Sequence, residues 1–271
     1  MKKIFAALAI GAILIGCGKK EAPATTSNVE EDNKIVIGVS PVPHAEIINA
    51  LEDEFKKAGL EVETVVFDDY VQPNLQLASG DIDANYFQHK PYFDEFISSH
   101  NLDLTSLGTV HIEPLGVYST KISSLDELND GDDVIIPNDP SNAARALILL
   151  DENGVIKLKD KTNLKSTEAD IVENPKNLHF TAIDAQNIPN VYKDAAIGII
   201  NSNYAIGAGI NPKNDSIVIE SSESPYANLV AVRTEDKDKP KFKKLMEVLQ
   251  SDATKNFLEI EYKGSIFPAF E

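Results

Sequence analysis

From Lys34 onward the chain alternates short apolar runs with stretches of helical period, a pattern that restricts it to sheet covered by helices. Lys34 to Ser40, with Ile35, Val36, Ile37 and Val39, reads as a strand. The stretch after Pro43 places Ile47, Ile48, Leu51 and Phe55 at helical spacing and stops at Gly59, a C-cap residue. Val62 to Phe67 is the next strand. A βα unit follows, with a short helix around Leu75 to Ala78 ended by Gly80, a strand from Ile82 to Phe87, and a helix from Pro91 to about His100. This alternation predicts a parallel sheet. Strands near Leu104 to Val110 and Pro114 to Ser119 lead to a new set: the strand Asp133 to Ile136, the helix Pro140 to about Asp151, the strand Ala195 to Ile200, a helix stub from Asn203 to Gly209 and a short strand Ile217 to Ile219. Leu158 to Ile188 is polar and has no clear period. Leu229 to Val232 reads as a strand and Pro240 to about Tyr262 as one helix. One α/β set interrupted by another, with the chain returning near its end, predicts two lobes with a ligand cleft between them at the carboxyl ends of strands. The expected division is residues 34–114 for lobe 1, 115–227 for lobe 2 and 228–271 for the return to lobe 1.

The segment before Lys34 has a different character. Lys2 and Lys3 precede an apolar run from Ile4 to Ile15, which reads as a secretory signal over residues 1–16. That run falls short of the ~20 residues needed to span a bilayer. It ends in Leu14-Ile15-Gly16-Cys17, which resembles a bacterial lipobox, with the sole cysteine, Cys17, as the lipidated new N-terminus. One cysteine leaves no internal disulfide. Residues 17–33 are then a lipidated N-terminus and a tether: Gly18 to Asn33 holds almost no large apolar side chain and would span roughly 20 Å as a flexible coil. The expected location is the membrane, lipid-anchored and facing the extracytoplasmic side.

Charge narrows the partners. Forty-three acidic against 25 basic residues give a net charge of -18, which repels a phosphate backbone and argues against nucleic acid. At 42% apolar residues the chain can still bury a sizeable core.

Candidate chemistry lies just after strands. In Ile136-Pro137-Asn138-Asp139-Pro140-Ser141-Asn142-Ala143-Ala144-Arg145, Asp139 is a good N-cap and Pro140 fits the first helical position. Asn142 and Arg145 then share a face near a helix N-terminus, where backbone N–H groups and a guanidinium suit a carboxylate. A surface arginine beyond a well-capped helix is the plainer alternative. Tyr70, Phe87 and His89 leave two neighbouring strands and can form an aromatic pocket for an apolar or thioether side chain; core aromatics with a helix-capping histidine would look the same. Asn201 and Asn228 flank two further strands, and their amides suit a zwitterion, although either also suits a turn.

The runs Tyr70-Val71-Gln72-Pro73-Asn74, Asp81 to Tyr92, Ile136 to Arg145, Asn201 to Ala205, and Ser224-Pro225-Tyr226-Ala227-Asn228 together resemble the NlpA lipoprotein family, in the right order from about Lys34 to the C-terminus. The resemblance implies a two-lobe, periplasmic-binding-protein-like fold. It implies a non-catalytic receptor that captures L-methionine and hands it to the permease of an ABC importer, with no cofactor. Carried onto matching positions, it places Tyr70, Phe87 and His89 around the methionine side chain, Arg145 with Asn142 on the carboxylate, and Asn201 and Asn228 on the head group. Ala143-Ala144 stands where many members have a small pair containing glycine. D-methionine, a methionine-containing dipeptide, or a role as a surface adhesin remain open on the same motifs.

Other chemistries find little in the sequence. No Gly-x-Ser-x-Gly elbow or phosphate-binding glycine loop is present. The five histidines are scattered at 44, 89, 100, 111 and 179 without metal-ligand spacing, so no metal site is expected. Asp130-Gly131-Asp132-Asp133 lacks the full spacing of a calcium loop and reads as a solvated turn.

Overall fold

The computed structural model describes residues 33–271. The expected signal segment, Cys17 and the tether up to residue 32 lie outside them. Among the described residues no helix is long and apolar enough to cross a membrane.

Thirteen strands are described: β1 (Lys34–Val39), β2 (Glu61–Val66), β3 (Ala84–His89), β4 (Leu104–Ile112), β5 (Gly116–Tyr118), β6 (Asp133–Pro137), β7 (Lys157–Leu158), β8 (Ile171–Glu173), β9 (His179–Ile183), β10 (Ile197–Ile200), β11 (Val218–Ile219), β12 (Ala227–Arg233) and β13 (Phe267–Pro268). They form one sheet of order β13-β4-β12-β3-β1-β2, a second of order β11-β5-β10-β6-β9, and a small ribbon of β7 and β8. The α/β class expected from the alternation is the class observed. The expected parallel arrangement is corrected: β1 pairs parallel with β2 and β3, but β12 runs antiparallel between β3 and β4. The second sheet is mixed in the same way, since β10 is parallel to β6 and antiparallel to β5. A returning strand inserted into a sheet already built carries no βαβ crossover of its own, so its direction is not set by the alternation.

Each sheet buries a separate apolar core. Ile35, Ile37, Phe55, Tyr86, Val230, Phe242 and Leu249 belong to the first, and Leu115, Val134, Ile136, Leu147, Leu150 and Ile199 to the second. Burying one such side chain contributes roughly 1.5–3 kcal/mol, so both cores hold their sheets firmly. The chain crosses between the sheets twice, through Glu113-Pro114-Leu115 after β4 and through residues 220–226 before β12. The two crossings run side by side: Glu220 N–H donates to the Leu115 carbonyl at 2.8 Å.

Two further differences from expectation concern elements. The helix expected from Pro240 to Tyr262 is two helices, Pro240–Leu249 and Asp252–Tyr262, separated by Ser251 in an extended conformation. The break lets Phe242, Leu245 and Leu249 on one side and Leu258 and Tyr262 on the other reach the same core. The unassigned region Leu158 to Ile188 contains β9, an exposed edge strand with only part-buried side chains at Phe180 and Ile183, so its apolar alternation is faint.

Candidate functional site

Between the sheets, where both crossings pass, the residues Tyr70, Phe87, Gln88, His89, Tyr92, Glu113, Asn142, Arg145, Asn201, Ser202, Asn203 and Asn228 line a small cavity. All seven residues singled out in the sequence for the ligand lie in this lining.

One end is aromatic. Tyr70 and Phe87 have ring centroids 6.1 Å apart, and Tyr92 packs edge-on against both at 5.7 and 6.1 Å. The Tyr92 hydroxyl donates to the Tyr70 carbonyl, which fixes the loop before the helix Gln72–Ser79. Beneath this end, Asn74, Asn85 and Gln88 form a buried amide network in which Asn74 and Gln88 exchange two hydrogen bonds of 2.8 Å. This network holds Gln88 at the cavity wall.

His89 ends β3 and begins the helix Lys90–His100. Its Nδ1 accepts from the Tyr92 N–H, so its proton is on Nε2, which donates to Asn142 Oδ1 at 3.1 Å. The histidine is both a helix cap and a pocket residue, so the two alternatives weighed on the sequence coexist. Burial, then the nearby Arg145 charge, pushes its pKa down to about 3. It is therefore neutral.

Asp139 caps the helix Pro140–Glu152, as its sequence requires, accepting from the Asn142 N–H at 2.9 Å. The Asn142 amide is used up inside the protein: its Nδ2 donates to both Asp139 oxygens, and its Oδ1 accepts from His89 and from Asn201 Nδ2 at 2.9 Å. Asn142 consequently positions its neighbours. Asn201 is left with a buried Oδ1 that has no partner. An unpaired buried acceptor costs about 1–3 kcal/mol, so this oxygen asks for a donor in the cavity.

Arg145 is 3% exposed and already forked: Nε and Nη2 donate to Glu220 at 3.0 and 2.5 Å, and Nη2 also reaches the Glu113 carbonyl at 2.8 Å. Its guanidinium lies 4.2 Å above the Tyr226 ring. Burial works against its charge, but the Glu220 carboxylate outweighs this and raises its pKa. Arg145 thus grips both crossing segments at once. Among the described residues Nη1 donates to no protein acceptor.

Glu220, Glu113, Tyr92, Gln88, Ser202 and Asn203 were not singled out individually in the sequence. Glu113 and Glu220 lie on crossing segments that carry no capping or periodic signal. Glu113 also gathers distant histidines. Its Oε1 accepts from His111 Nε2 at 2.8 Å, and His44 Nε2 lies 3.3 Å away. Tyr86 donates to His111 Nδ1, which leaves Nε2 as the protonated atom. His44 Nε2 faces two acceptors, Glu113 and Asn228 Oδ1 at 3.2 Å, so it too carries its proton there. Burial lowers the pKa of His44 to about 4 and that of His111 to about 3, and raises that of Glu113. The donor atoms of His44, His111 and Glu113 all lie within 4.8 Å of one another, a convergence that their spacing in sequence concealed. Both Nε2 atoms are occupied as hydrogen-bond donors, His111 to Glu113 and His44 to Asn228, with the Glu113 carboxylate between them. Because Asn228 gives its oxygen to His44, its Nδ2 is turned to serve as a donor.

The family model for the NlpA lipoprotein matches residues 35–270. Among curated proteins, the D-methionine-binding lipoprotein MetQ of Salmonella typhi is 44% identical over 92% of each chain, and that of Escherichia coli K12 is 43% identical over the same shares. Among solved structures, a nutrient binding protein from Burkholderia cenocepacia bound to methionine superposes with a TM-score of 0.84 at 44% identity, covering 87% of this chain and all of the other.

Proposed function

Since the chain belongs to the NlpA lipoprotein family, we propose that it is a lipid-anchored receptor that captures L-methionine and passes it to an ABC importer. The observation that carries this reading is the pairing of polar atoms left over in the cavity. Arg145 Nη1 and Asn228 Nδ2 are donors for a carboxylate, Asn201 Oδ1 is an acceptor for an ammonium, and the rings of Tyr70, Phe87 and Tyr92 suit a thioether. His89, neutral and fixed by two hydrogen bonds, closes the wall between them. The roles of Tyr70, Phe87, His89, Asn142, Arg145, Asn201 and Asn228 belong to this proposal, with Asn142 acting through its neighbours. So does the division into residues 34–114 with 228–271 and residues 115–227, which is supported by the two sheets. A lipid on Cys17 would hold the receptor near its permease and raise its effective concentration there.

Titration calorimetry of ligand-free protein tests the reading. L-methionine should bind with a free energy well beyond that of leucine, and Arg145→Ala should abolish binding with the fold retained. Unchanged affinity in that variant would sink the assignment. The names of the curated relatives favour D-methionine as a second reading. The same titration with D-methionine and glycyl-methionine decides between them.

A further inference from the structure

Arg145, His89 and Glu113 line the cavity, and their pairing is unequal. Arg145 is matched one to one with Glu220. His89 is neutral. Glu113 is 6% exposed, and among the described residues its only ion-pair-distance neighbours are two neutral histidines: His111, which donates to it, and His44, whose Nε2 lies 3.3 Å away while bonding Asn228. Arg145 touches the Glu113 carbonyl, not its carboxylate. A buried carboxylate without a cation in contact is costly, of order several kcal/mol, and the His111 N–H, the Asn203 backbone N–H and the more distant Arg145 charge offset only part of that. Both imidazoles lie on the Oε1 side, His111 bonded to it and His44 3.3 Å from it, so Oε2 has no side-chain partner among the described residues. Asn201 Oδ1, the orphan acceptor, lines the same cavity.

We propose that Glu113 is the specificity-determining anion of the site: with Asn201 it binds the free α-ammonium of the ligand, and His44 and His111 are positioning residues that aim it. The proposal rests on the reading of the cavity as an amino-acid site and deepens it. A ligand without the ammonium would leave Glu113 uncompensated and Asn201 unpaired, so it should be rejected even with the same side chain and carboxylate. Discrimination against a missing polar group is strong where the site's own buried groups are left without partners. Glu113 also lies on a crossing segment, anchored by β4 on one side and by Arg145 on the other. The ammonium group would then be recognised at the junction of the two sheets.

The test compares affinities for L-methionine, its deaminated analogue 4-(methylthio)butanoate, N-acetyl-methionine, leucine and glutamine, in the wild-type protein and in Glu113→Gln, with circular dichroism on each. Wild type should prefer methionine over its deaminated analogue by at least about 100-fold, and Glu113→Gln should shrink that preference at least about tenfold by losing methionine affinity. Glu113→Asp, which keeps the charge, should retain most of the preference and serves if the glutamine variant does not fold. His111→Phe should lower methionine affinity less than Glu113→Gln does. A preference in Glu113→Gln equal to that of wild type would overturn the proposal while leaving the methionine reading intact. Tight binding of leucine or glutamine in place of methionine would overturn the methionine reading alone, with the preference for ammonium still measured on that amino acid. Binding of none of the α-amino acids would overturn both.

Discussion

His89 and His111 each accept a hydrogen bond at Nδ1, which only a neutral imidazole can do, and His44 is kept neutral by burial; together they set how the protein responds to acid. Their folded pKa values are lowered to about 3, 4 and 3, mainly by burial, whereas an unfolded histidine titrates near 6.5. Between pH 6.5 and about 4 the unfolded chain therefore binds protons that the folded chain refuses. Stability is fully present above that window and falls as the pH drops through it, by about 1.4 kcal/mol per pH unit for each histidine. Glu113 works in the opposite sense, because its raised pKa lets the folded state take a proton earlier than the unfolded one. Lower pH also relieves self-repulsion from the net charge of -18. Comparison of variants separates these effects: the slope of unfolding free energy against pH, measured by urea titration between pH 7 and 5, should be shallower in ligand-free His89→Gln by up to one proton. Equal slopes would show that His89 is already charged in the folded state. Arg145 gives a second residue-scale expectation. Replacing it by Lys removes the fork to Glu220 and leaves a point charge, so methionine affinity should fall by about 2–3 kcal/mol in calorimetry, as for breaking a charge-assisted pair.

At the scale of elements, the helix Pro140–Glu152 shows how a local signal becomes a site. Asp139 satisfies a backbone N–H at the helix start, and the same carboxylate holds the Asn142 amide that in turn orients His89 and Asn201. Asp139→Ala should cost about 1 kcal/mol of stability, with a range of 0.5–2 for lost caps, and should also weaken methionine binding by releasing Asn142. Thermal melts and calorimetry on the same sample check both. Gly198, central in β10, offers a contrast with no polar role: a Cβ there would stand 2.5 Å from that of Tyr192, so Gly198→Ala should destabilise by about 1–3 kcal/mol while affinity in the folded fraction stays unchanged. The well-capped helix and the buried strands were legible because their signals are local. β1, β6, β10 and β12 are runs of apolar residues, and Asp139-Pro140 marks a start by itself. What escaped was set by distant partners. The antiparallel placement of β12 depends on where a returning strand finds room, and the break at Ser251 depends on the core that both flanking helices share. Likewise the seven site residues follow motifs at strand ends, whereas Glu113 and Glu220 acquire their meaning only when the two crossings lie side by side.

At the scale of the whole molecule, the two sheets meet over the cavity through a few specific hydrogen bonds. Tyr70 Oη donates to Asn203 Oδ1 at 2.6 Å, Tyr204 Oη to the Asp68 carbonyl at 3.2 Å, and His89 to Asn142 at 3.1 Å. An exposed Lys165 to Glu95 pair joins them at the rim and contributes little, being solvated and screened. If the receptor opens to admit its ligand, these bonds exist only in the closed form, and their energy appears in affinity instead of in the stability of the free protein. Tyr70→Phe separates the two cases. It removes one hydroxyl and leaves Asn203 Oδ1 without that donor, a loss of about 1–3 kcal/mol where the group stays buried. An opening receptor would show a drop in methionine affinity of roughly 5- to 150-fold, with the melting temperature of the ligand-free variant within about 1–2 °C of wild type. A permanently closed protein would show the reverse, a lowered ligand-free melting temperature and nearly unchanged affinity. Small-angle scattering gives an independent reading, because an opening wild-type protein should contract when methionine is added and the closed alternative should not.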